Sequence, residues 1–409
     1  MIGLTGILKF TPENSRNYIV IDSVYGDDAK AALNPYKRDS FFKTFTGIED
    51  SGVVDYVNPI TIVVHPGTYE LDLPISFYFL TLICVGSPTI RSQSTSVVRF
   101  GNGTYNAANK LYVLGDGIFE SAAAVQPVFF INGCDAYIQC AKIKKTNTFY
   151  GGIFGQNNCT VYADVEEIDC STNLGNALTA LMGCKMTVNC RVAKFSWIGI
   201  LVQDHLSSTL NGTVINFNGT LEAYDYSGDT TRFATTFLLA DETGDATINF
   251  NGKMIDKKTI TDTGLFGGVY QAPPNSGEIN INGSPSVLKT VNGILKKGSG
   301  RINMNANIEN TQGVGASIQG GIFRISNATL KTSFASAPKD GIDYSGGNVV
   351  LDNAKIVVNN PATAFSITPN TSRNIKIYNA YTNAPVNTAG GTLTNIITGG
   401  TLIVDSDVE

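Results

Sequence analysis

Four carboxylates lie close together in the first half of the chain, at Asp164, Glu166, Glu167 and Asp169. Paired carboxylates are what general acid–base cleavage of a glycosidic bond requires. Two interpretations stay open. Asp164 and Glu166 are the candidate catalytic residues of a polysaccharide-cleaving site, or the carboxylates belong to a structural row of ion pairs. The residues around them decide how they are positioned.

A repeat of 25 residues contains these carboxylates, because Cys134, Cys159 and Cys184 recur at that spacing with no drift. A strict repeat of this length is typical of a solenoid. After each cysteine, apolar and polar residues alternate, which predicts a strand with one buried face. The expected inward set is Cys134, Ala136, Ile138, Cys140, Cys159, Val161, Ala163, Val165, Cys184, Met186, Val188 and Cys190.

Opposite charges fall in the same register. The expected pairs are Lys142–Glu167, Lys144–Asp169, Asp169–Lys194 and Glu166–Arg191. Between parallel coils ~4.8 Å apart, such pairs contribute roughly 0.2–1 kcal/mol each. The fold class is therefore all-β: a single-stranded parallel β-helix of about 25 residues per coil. Past residue 200 the coils vary in length, and the expected strand segments are Ser208–Gly219, Ala246–Ile255, Glu278–Gly283, Arg301–Ile308, Ile322–Lys331, Val349–Val358, Asn374–Tyr381 and Leu393–Val404.

Composition narrows the function classes. The 409 residues are only 15% charged, include 42 glycines and carry a net charge of −5. A chain without a basic stripe is not expected to bind nucleic acid. No apolar run approaches ~20 residues, so no membrane insertion is expected. The opening residues lack the basic and apolar regions of a signal peptide, which favours release by lysis over secretion.

The seven cysteines and two histidines suggest neither a metal site nor a cofactor. An odd number of cysteines without a secretion signal indicates free thiols, although stacked coils would bring some within reach of a disulfide. Few histidines and the absence of a CxxC motif argue against zinc. We expect a buried column of thiols that pack as small hydrophobic groups.

Aromatic residues supply a second set of candidates, for sugar binding. A tyrosine column is expected on the outward face, a long excursion at Gly219–Thr236 carries two more tyrosines, and the lone tryptophan precedes an Asp-His pair. The structural alternatives are a packing column and an insertion that covers a core edge. The candidate glycan-binding residues are Tyr137, Tyr162, Tyr224, Tyr226 and Trp197.

The N-terminal region, residues 1–100, differs from the repeats and is expected to hold a strand and helix cap with the first coils. Ser40 is the expected N-cap of a short helix whose apolar side includes Phe42, Phe45 and Ile48. Such a cap would close the open end of the solenoid. The β-helix itself is expected over residues 101–404, and residues 405–409 form a tail.

This region resembles the opening of the pectate-lyase-like right-handed parallel β-helix superfamily, which includes phage tailspikes and tail fibres. The segments that carry the resemblance are Tyr25–Ala29, Asn34-Pro35, Phe42–Phe45 and Ile62–Glu70 with its Pro66-Gly67 turn. It covers about residues 19–95 and implies a right-handed helix. The family's lyase motif is absent, so no catalytic residue is carried over. Enzymes and non-enzymes share the fold.

The resemblance implies a virion protein made in the host cytoplasm. Its implied partners are two further copies in a homotrimer, other virion proteins and a host surface polysaccharide. Tail fibre or spike and head fibre are both compatible positions. The first function hypothesis is an adhesin or attachment scaffold for a host surface glycan. The alternative is a tailspike-type polysaccharide depolymerase, a lyase or glycoside hydrolase, which would require two or three convergent acids.

Overall fold

The computed structural model describes residues 18–54, 58–76, 79–147, 151–172, 174–204, 212–225, 235–241, 244–259, 267–334, 337–361, 364–369, 375–387, 397–398 and 401–404. It confirms the predicted parallel β-helix, with about 11 turns and two short helices. In the described residues no helix is long and apolar enough to cross a membrane.

The helices are α1 (Asp28–Leu33) and α2 (Phe45–Asp50). The strands are β1 (Ile19–Ile21), β2 (Ile60–Val64), β3 (Thr68–Leu71), β4 (Leu80–Cys84), β5 (Thr89–Ser92), β6 (Val98–Phe100), β7 (Lys110–Gly115), β8 (Ile118–Ser121), β9 (Phe129–Asn132), β10 (Asp135–Lys145), β11 (Ile153–Gln156), β12 (Thr160–Cys170), β13 (Leu178–Leu181), β14 (Lys185–Phe195), β15 (Ile198–Gln203), β16 (Val214–Ala223), β17 (Thr236–Asp241), β18 (Thr247–Asp256), β19 (Gly267–Gln271), β20 (Glu278–Gly283), β21 (Ser286–Leu288), β22 (Asn292–Lys296), β23 (Arg301–Met304), β24 (Ile308–Asn310), β25 (Val314–Ser326), β26 (Thr329–Thr332), β27 (Ile342–Val358), β28 (Ile367–Pro369), β29 (Ile375–Thr382), β30 (Ile397–Thr398) and β31 (Thr401–Val404).

Three parallel ladders run along the helix, and each defines one face. The first face is the ladder β1-β2-β4-β7-β10-β12-β14-β16-β18-β20-β23, which continues through the second part of β25. The second face begins at β3-β5-β8 and continues through the C-terminal halves of β10, β12, β14, β16 and β18. The third face is the ladder β6-β9-β11-β13-β15-β17-β19-β22.

The long strands bend at the corner between the first and second faces. In β12, Val165 points inward and so does Ile168, while Glu166 and Glu167 between them both point outward. Two consecutive outward residues shift the alternation, because successive side chains of a straight strand point to opposite sides. Glu166 therefore belongs to the edge of the first face, and Glu167 to the second.

The core is a set of apolar columns inside the coils. Every member of the predicted inward set is buried, and β10 pairs with β12, and β12 with β14, at the predicted offset. All seven cysteines are buried free thiols, which confirms the predicted thiol column. Burial raises the pKa of Cys134, Cys170 and Cys190 to about 12, so these thiols stay protonated at neutral pH.

The N-terminal cap differs in detail from the prediction. Thr44, not Ser40, is the N-cap of α2, and its hydroxyl accepts a hydrogen bond from the Gly47 amide at 2.9 Å. The prediction failed because the chain is extended before the helix: Phe42 forms a parallel bridge to Ile21. A second helix, α1, was not predicted, although Asp27 is an ordinary N-cap. Phe45 and Ile48 are buried as expected.

The turn after β2 is held by polar contacts. Gly67 has a φ of 150°, in a region that favours glycine. The His65 ring nitrogen Nδ1 lies 3.0 Å from the Asp22 carboxylate, and the Tyr69 hydroxyl donates to the His65 carbonyl at 2.9 Å. His65 therefore joins β1 to the turn.

Two of the buried lysines in the described part of the chain have no solvent exposure and no ion-pair partner. Lys145 and Lys296 are fully buried, and their ammonium groups donate to the carbonyl oxygens of Ala123 and Gly298 respectively. Burial penalises the charged form and lowers the pKa of each lysine to about 8. These two cations therefore weaken the folded state at neutral pH.

Candidate functional site

Two surface grooves follow the corner between the first and second faces. The acidic groove has a volume of about 630 Å³. It crosses β4, the β7–β8 turn, β10 and β12, and it contains the carboxylates of Asp116, Asp164 and Glu166. The residues that line it are Ile83, Cys84, Val85, Gly86, Gly115, Asp116, Gln139, Cys140, Ala141, Asp164 and Glu166.

The structure thus brings the two candidate catalytic residues into one groove. Asp164 and Glu166 are both exposed, two positions apart on β12. Asp116 was not among the candidates, and it accepts a hydrogen bond from the Ser87 hydroxyl at 3.0 Å. Among the described residues that line this groove there is no lysine or arginine, so the charge of this lining is negative. Acids of this kind suit proton transfer to a sugar or hydrogen bonds to its hydroxyl groups.

The neighbouring carboxylates form the structural ion pairs instead. Glu167 accepts from Lys142 at 3.2 Å and from Lys194 at 2.9 Å. Burial opposes its ionisation, but hydrogen bonds from the two lysines prevail and lower its pKa. Asp169 lies 3.7 Å from Lys142. The ion-pair interpretation therefore holds for these two acids.

Three of the four predicted charge pairs differ from expectation. Lys194 is in register with Asp169, yet its ammonium lies 2.9 Å from Glu167 instead. Lys144 is in register with Asp169, yet its ammonium lies 3.4 Å from Glu120 on the preceding coil. Among the described residues Glu166 and Arg191 form no ion pair, and they line different grooves.

The predicted tyrosine column lies on the first face, next to the acidic groove. The rings of Tyr137 and Tyr162 stack with centroids 5.1 Å apart and an interplanar angle of 8°, and Tyr112 adds a tilted ring at 6.5 Å from Tyr137. The ring faces that Tyr137 and Tyr162 turn toward each other are covered, so between these two rings the column offers edges and hydroxyl groups to a ligand. The Tyr162 hydroxyl also accepts a hydrogen bond from Asn189 at 2.9 Å.

Asparagine ladders continue the first face beyond the tyrosines. In one, each amide nitrogen donates to the amide oxygen of the previous coil at 2.7–2.8 Å. A second row lies two positions further along each strand, at 2.8–3.3 Å. The two rows comprise Asn216, Asn249, Asn280 and Asn303, and Asn189, Asn218, Asn251, Asn282 and Asn305.

Sequence reasoning missed these ladders, although a signal existed. The pattern Ile-Asn-x-Asn-Gly recurs at Ile215–Gly219, Ile248–Gly252 and Ile279–Gly283. The glycine is required at the corner, because a Cβ on Gly219 would lie 1.7 Å from the Cys190 carbonyl oxygen. Only the amide hydrogens and lone pairs that the ladder leaves unused remain available to solvent or a ligand.

The basic groove lies over the next coils and has a volume of about 610 Å³. Its charged lining is four cations and two carboxylates. The Tyr224 hydroxyl donates to Glu222 at 2.7 Å, and burial together with this acceptor raises the tyrosine pKa to about 12. The residues that line the groove are Glu167, Arg191, Val192, Lys194, Thr220, Glu222, Tyr224, Lys253, Ile255 and Lys257.

Trp197, the remaining aromatic candidate among the described residues, lines neither of these grooves. Trp197 is half-buried, and its backbone carbonyl accepts from the Thr236 amide at 2.9 Å, where the second face gives way to the third. Asp204, of the Asp-His pair after it, is fully buried and accepts a hydrogen bond from the Thr213 hydroxyl. Tyr226 and His205 lie outside the described residues.

No group of three or more His, Cys, Asp or Glu side chains in the described part of the chain could hold a metal ion. The chain matches no protein-family model, and comparisons with curated proteins and with solved structures found no significant match. Fold and grooves together define the class as a parallel β-helix protein, consistent with the pectate-lyase-like superfamily.

Proposed function

We propose that the chain is a virion attachment protein of the tail-fibre, spike or head-fibre type, which binds a host surface glycan without cleaving it. The observation that carries this proposal is the pair of grooves along one edge of the β-helix. Each crosses several coils at ~4.8 Å per coil, a length that suits a polymer lying along the helix axis.

The polar rows of the first face, beside the grooves, support the binding of a ligand. Tyrosine hydroxyls, exposed carboxylates and amide ladders supply hydrogen-bond donors and acceptors in regular rows. Sugars present hydroxyl groups at similarly regular intervals along a polysaccharide. The rows are pre-ordered by coil-to-coil hydrogen bonds, so little side-chain entropy is lost when a ligand docks.

The alternative function, a polysaccharide depolymerase, rests on the acidic groove. Asp116, Asp164 and Glu166 are three acids in one concave site, which an acid–base mechanism could use. Against it, the deeper and better-positioned carboxylates, Glu167 and Asp169, are neutralised by lysines. We therefore propose glycan attachment. Cleavage of the polysaccharide by the protein would replace this proposal with the depolymerase.

The distinguishing experiment uses bacterial surface polysaccharides, with wild-type protein and the variants Asp164→Asn and Glu166→Gln. Attachment predicts that wild type retains a polymer without shortening it. If wild type shortens the polymer, and the two variants stop that shortening while still folding, the depolymerase replaces the proposal. A matched control is Glu278→Gln, since Glu278 lies on the first face outside both grooves, where its carboxylate lies 3.4 Å from the exposed Arg301 and accepts from the Asn280 amide at 3.4 Å.

The proposed partners are two further copies of the chain, other virion proteins and the host polysaccharide. A homotrimer would bring equivalent edges of three β-helices together and add inter-chain grooves. Light scattering tests this directly: the proposal expects a native mass about three times 43.6 kDa. If the protein is a monomer at all concentrations, the trimer is removed from the proposal, and glycan binding by the single chain is what remains to be tested.

A further inference from the structure

The basic groove differs in charge from the rest of the molecule. The chain as a whole carries a net charge of −5, but four cations and two carboxylates line this groove. Like charges gathered in one concave site raise the local concentration of oppositely charged ligands. The groove also adjoins the acidic one along the same edge, so a ligand there meets two sites of opposite sign.

The two carboxylates in the groove pair with only one of its four cations, Lys194, among the described residues. Glu167 is already shared by Lys142 and Lys194, at 3.2 and 2.9 Å. Glu222 accepts the Tyr224 hydroxyl. Each acid therefore has partners of its own, and in the described residues neither forms an ion pair with the groove's other cations.

Three cations thus remain available. Arg191, Lys253 and Lys257 are exposed, and among the described residues none lies within ion-pair distance of a carboxylate. They come from β14, from β18 and from the residue after β18. An arginine offers a planar fork of donors that matches a carboxylate, while lysines act as point charges.

An aromatic ring completes the lining. Tyr224 is half-buried, its amide donates to the Phe195 carbonyl at 2.8 Å, and its hydroxyl is held by Glu222. Its ring is therefore fixed in the groove. A fixed aromatic ring beside cations suits a ligand that combines an apolar sugar face with a negative charge.

We propose that the basic groove binds a polysaccharide whose sugars carry carboxylates, with the carboxylate at Arg191, Lys253 and Lys257 and a sugar ring against Tyr224. This inference rests on the proposed attachment function and names the ligand class for it. The volume of about 610 Å³ falls within the roughly 300–1,000 Å³ of small-ligand sites, so the groove holds a short segment of the polymer.

The test measures binding of full-length protein to hyaluronate, polygalacturonate and polysialate, each beside its carboxyl-reduced form. At least one acidic polymer should bind, and its reduced form should bind about tenfold more weakly, which corresponds to ~1.4 kcal/mol. Lys253→Met and Lys257→Met should each lose several-fold in affinity and show a weaker dependence on salt.

Lys185→Met is the matched control, because Lys185 is an exposed lysine on the first face outside the groove. It should bind as wild type does, and circular dichroism should show the same β-structure in all variants. Equal binding of acidic and reduced polymers, or unchanged binding by both groove variants, would overturn the inference while attachment stands. If neither acidic nor neutral polymers bind, the inference and the proposed function both fail. Tighter binding of a single-stranded DNA oligomer than of every acidic polymer would assign the groove to a phosphate backbone instead.

Discussion

The buried lysine of β22 gives a prediction whose size follows from the structure. Lys296 is fully buried, and its pKa is lowered to about 8 from the ordinary 10.5. A shift of about 2.5 units, at about 1.36 kcal/mol per unit, corresponds to about 3 kcal/mol. Below pH 8 the Lys296 ammonium is charged in both the folded and the unfolded protein. The folded state is therefore destabilised by the full free energy of burying that charge.

The sign of the pH dependence follows from which state holds the proton. Between pH 8 and 10.5 the unfolded chain still binds a proton that folded Lys296 has released, so stability rises with pH across that window. Lys296→Met removes the titration. The variant's free energy of unfolding, relative to wild type, should therefore fall by about 3 kcal/mol from pH 7 to pH 10.5. The titration of every group that the variant and the wild type share cancels in this difference between their free energies of unfolding.

The assay is urea unfolding at several pH values in a reducing buffer, followed by the fluorescence of Trp197, the single tryptophan. Lys185→Met serves as the control, because an exposed lysine should give a difference that does not change with pH. A Lys296→Met difference that stays constant from pH 7 to 10.5 would refute the reasoning. It would mean that the lysine reaches water in the folded state.

The remaining predictions concern the core, the ladders and the ion pairs. The seven cysteines should resist a thiol reagent in the native protein and react after unfolding, because all are buried; rapid native labelling would contradict the thiol column. Asn249→Ala removes two ladder bonds of 2.8 Å and Asn303→Ala removes one of 2.7 Å. The first variant should therefore lower the free energy of unfolding about twice as much as the second, by roughly 1–2 kcal/mol. Equal losses would contradict a separate contribution from each ladder bond. The lowered pKa of Glu167 contributes stability that is present above its ordinary value of 4.5 and is lost as pH falls. Glu167→Gln should therefore flatten the acid limb of the stability profile, and an unchanged limb would refute the shared ion pair.

The regular coils could be predicted from sequence because their period is strict. Cys134, Cys159 and Cys184 recur at 25 residues, and one residue of slip would have turned every buried side chain outward. Later coils keep the same stacking with offsets of 29, 33, 31 and 23 residues, since their loops differ in length. The loops hide the period, so only the strand segments could be placed there.

The grooves could not be predicted, for two physical reasons. The corner at Glu166 and Glu167 sends neighbouring acids to different faces, a change that alternation alone does not reveal. The cations of the basic groove come from β14, from β18 and from the residue after β18, at unequal spacing along the chain, and meet only through coil stacking. Asp164 and Glu166 were found because both lie within the strict repeat.

One measurement tests the central proposal most directly: size-exclusion chromatography with light scattering on mixtures of the protein with bacterial surface polysaccharides. It reports the complex and the length of the polymer together. Attachment predicts that at least one polysaccharide elutes with the protein and keeps its original mass after long incubation. A polymer that loses mass, or a panel in which none elutes with the protein, would contradict it.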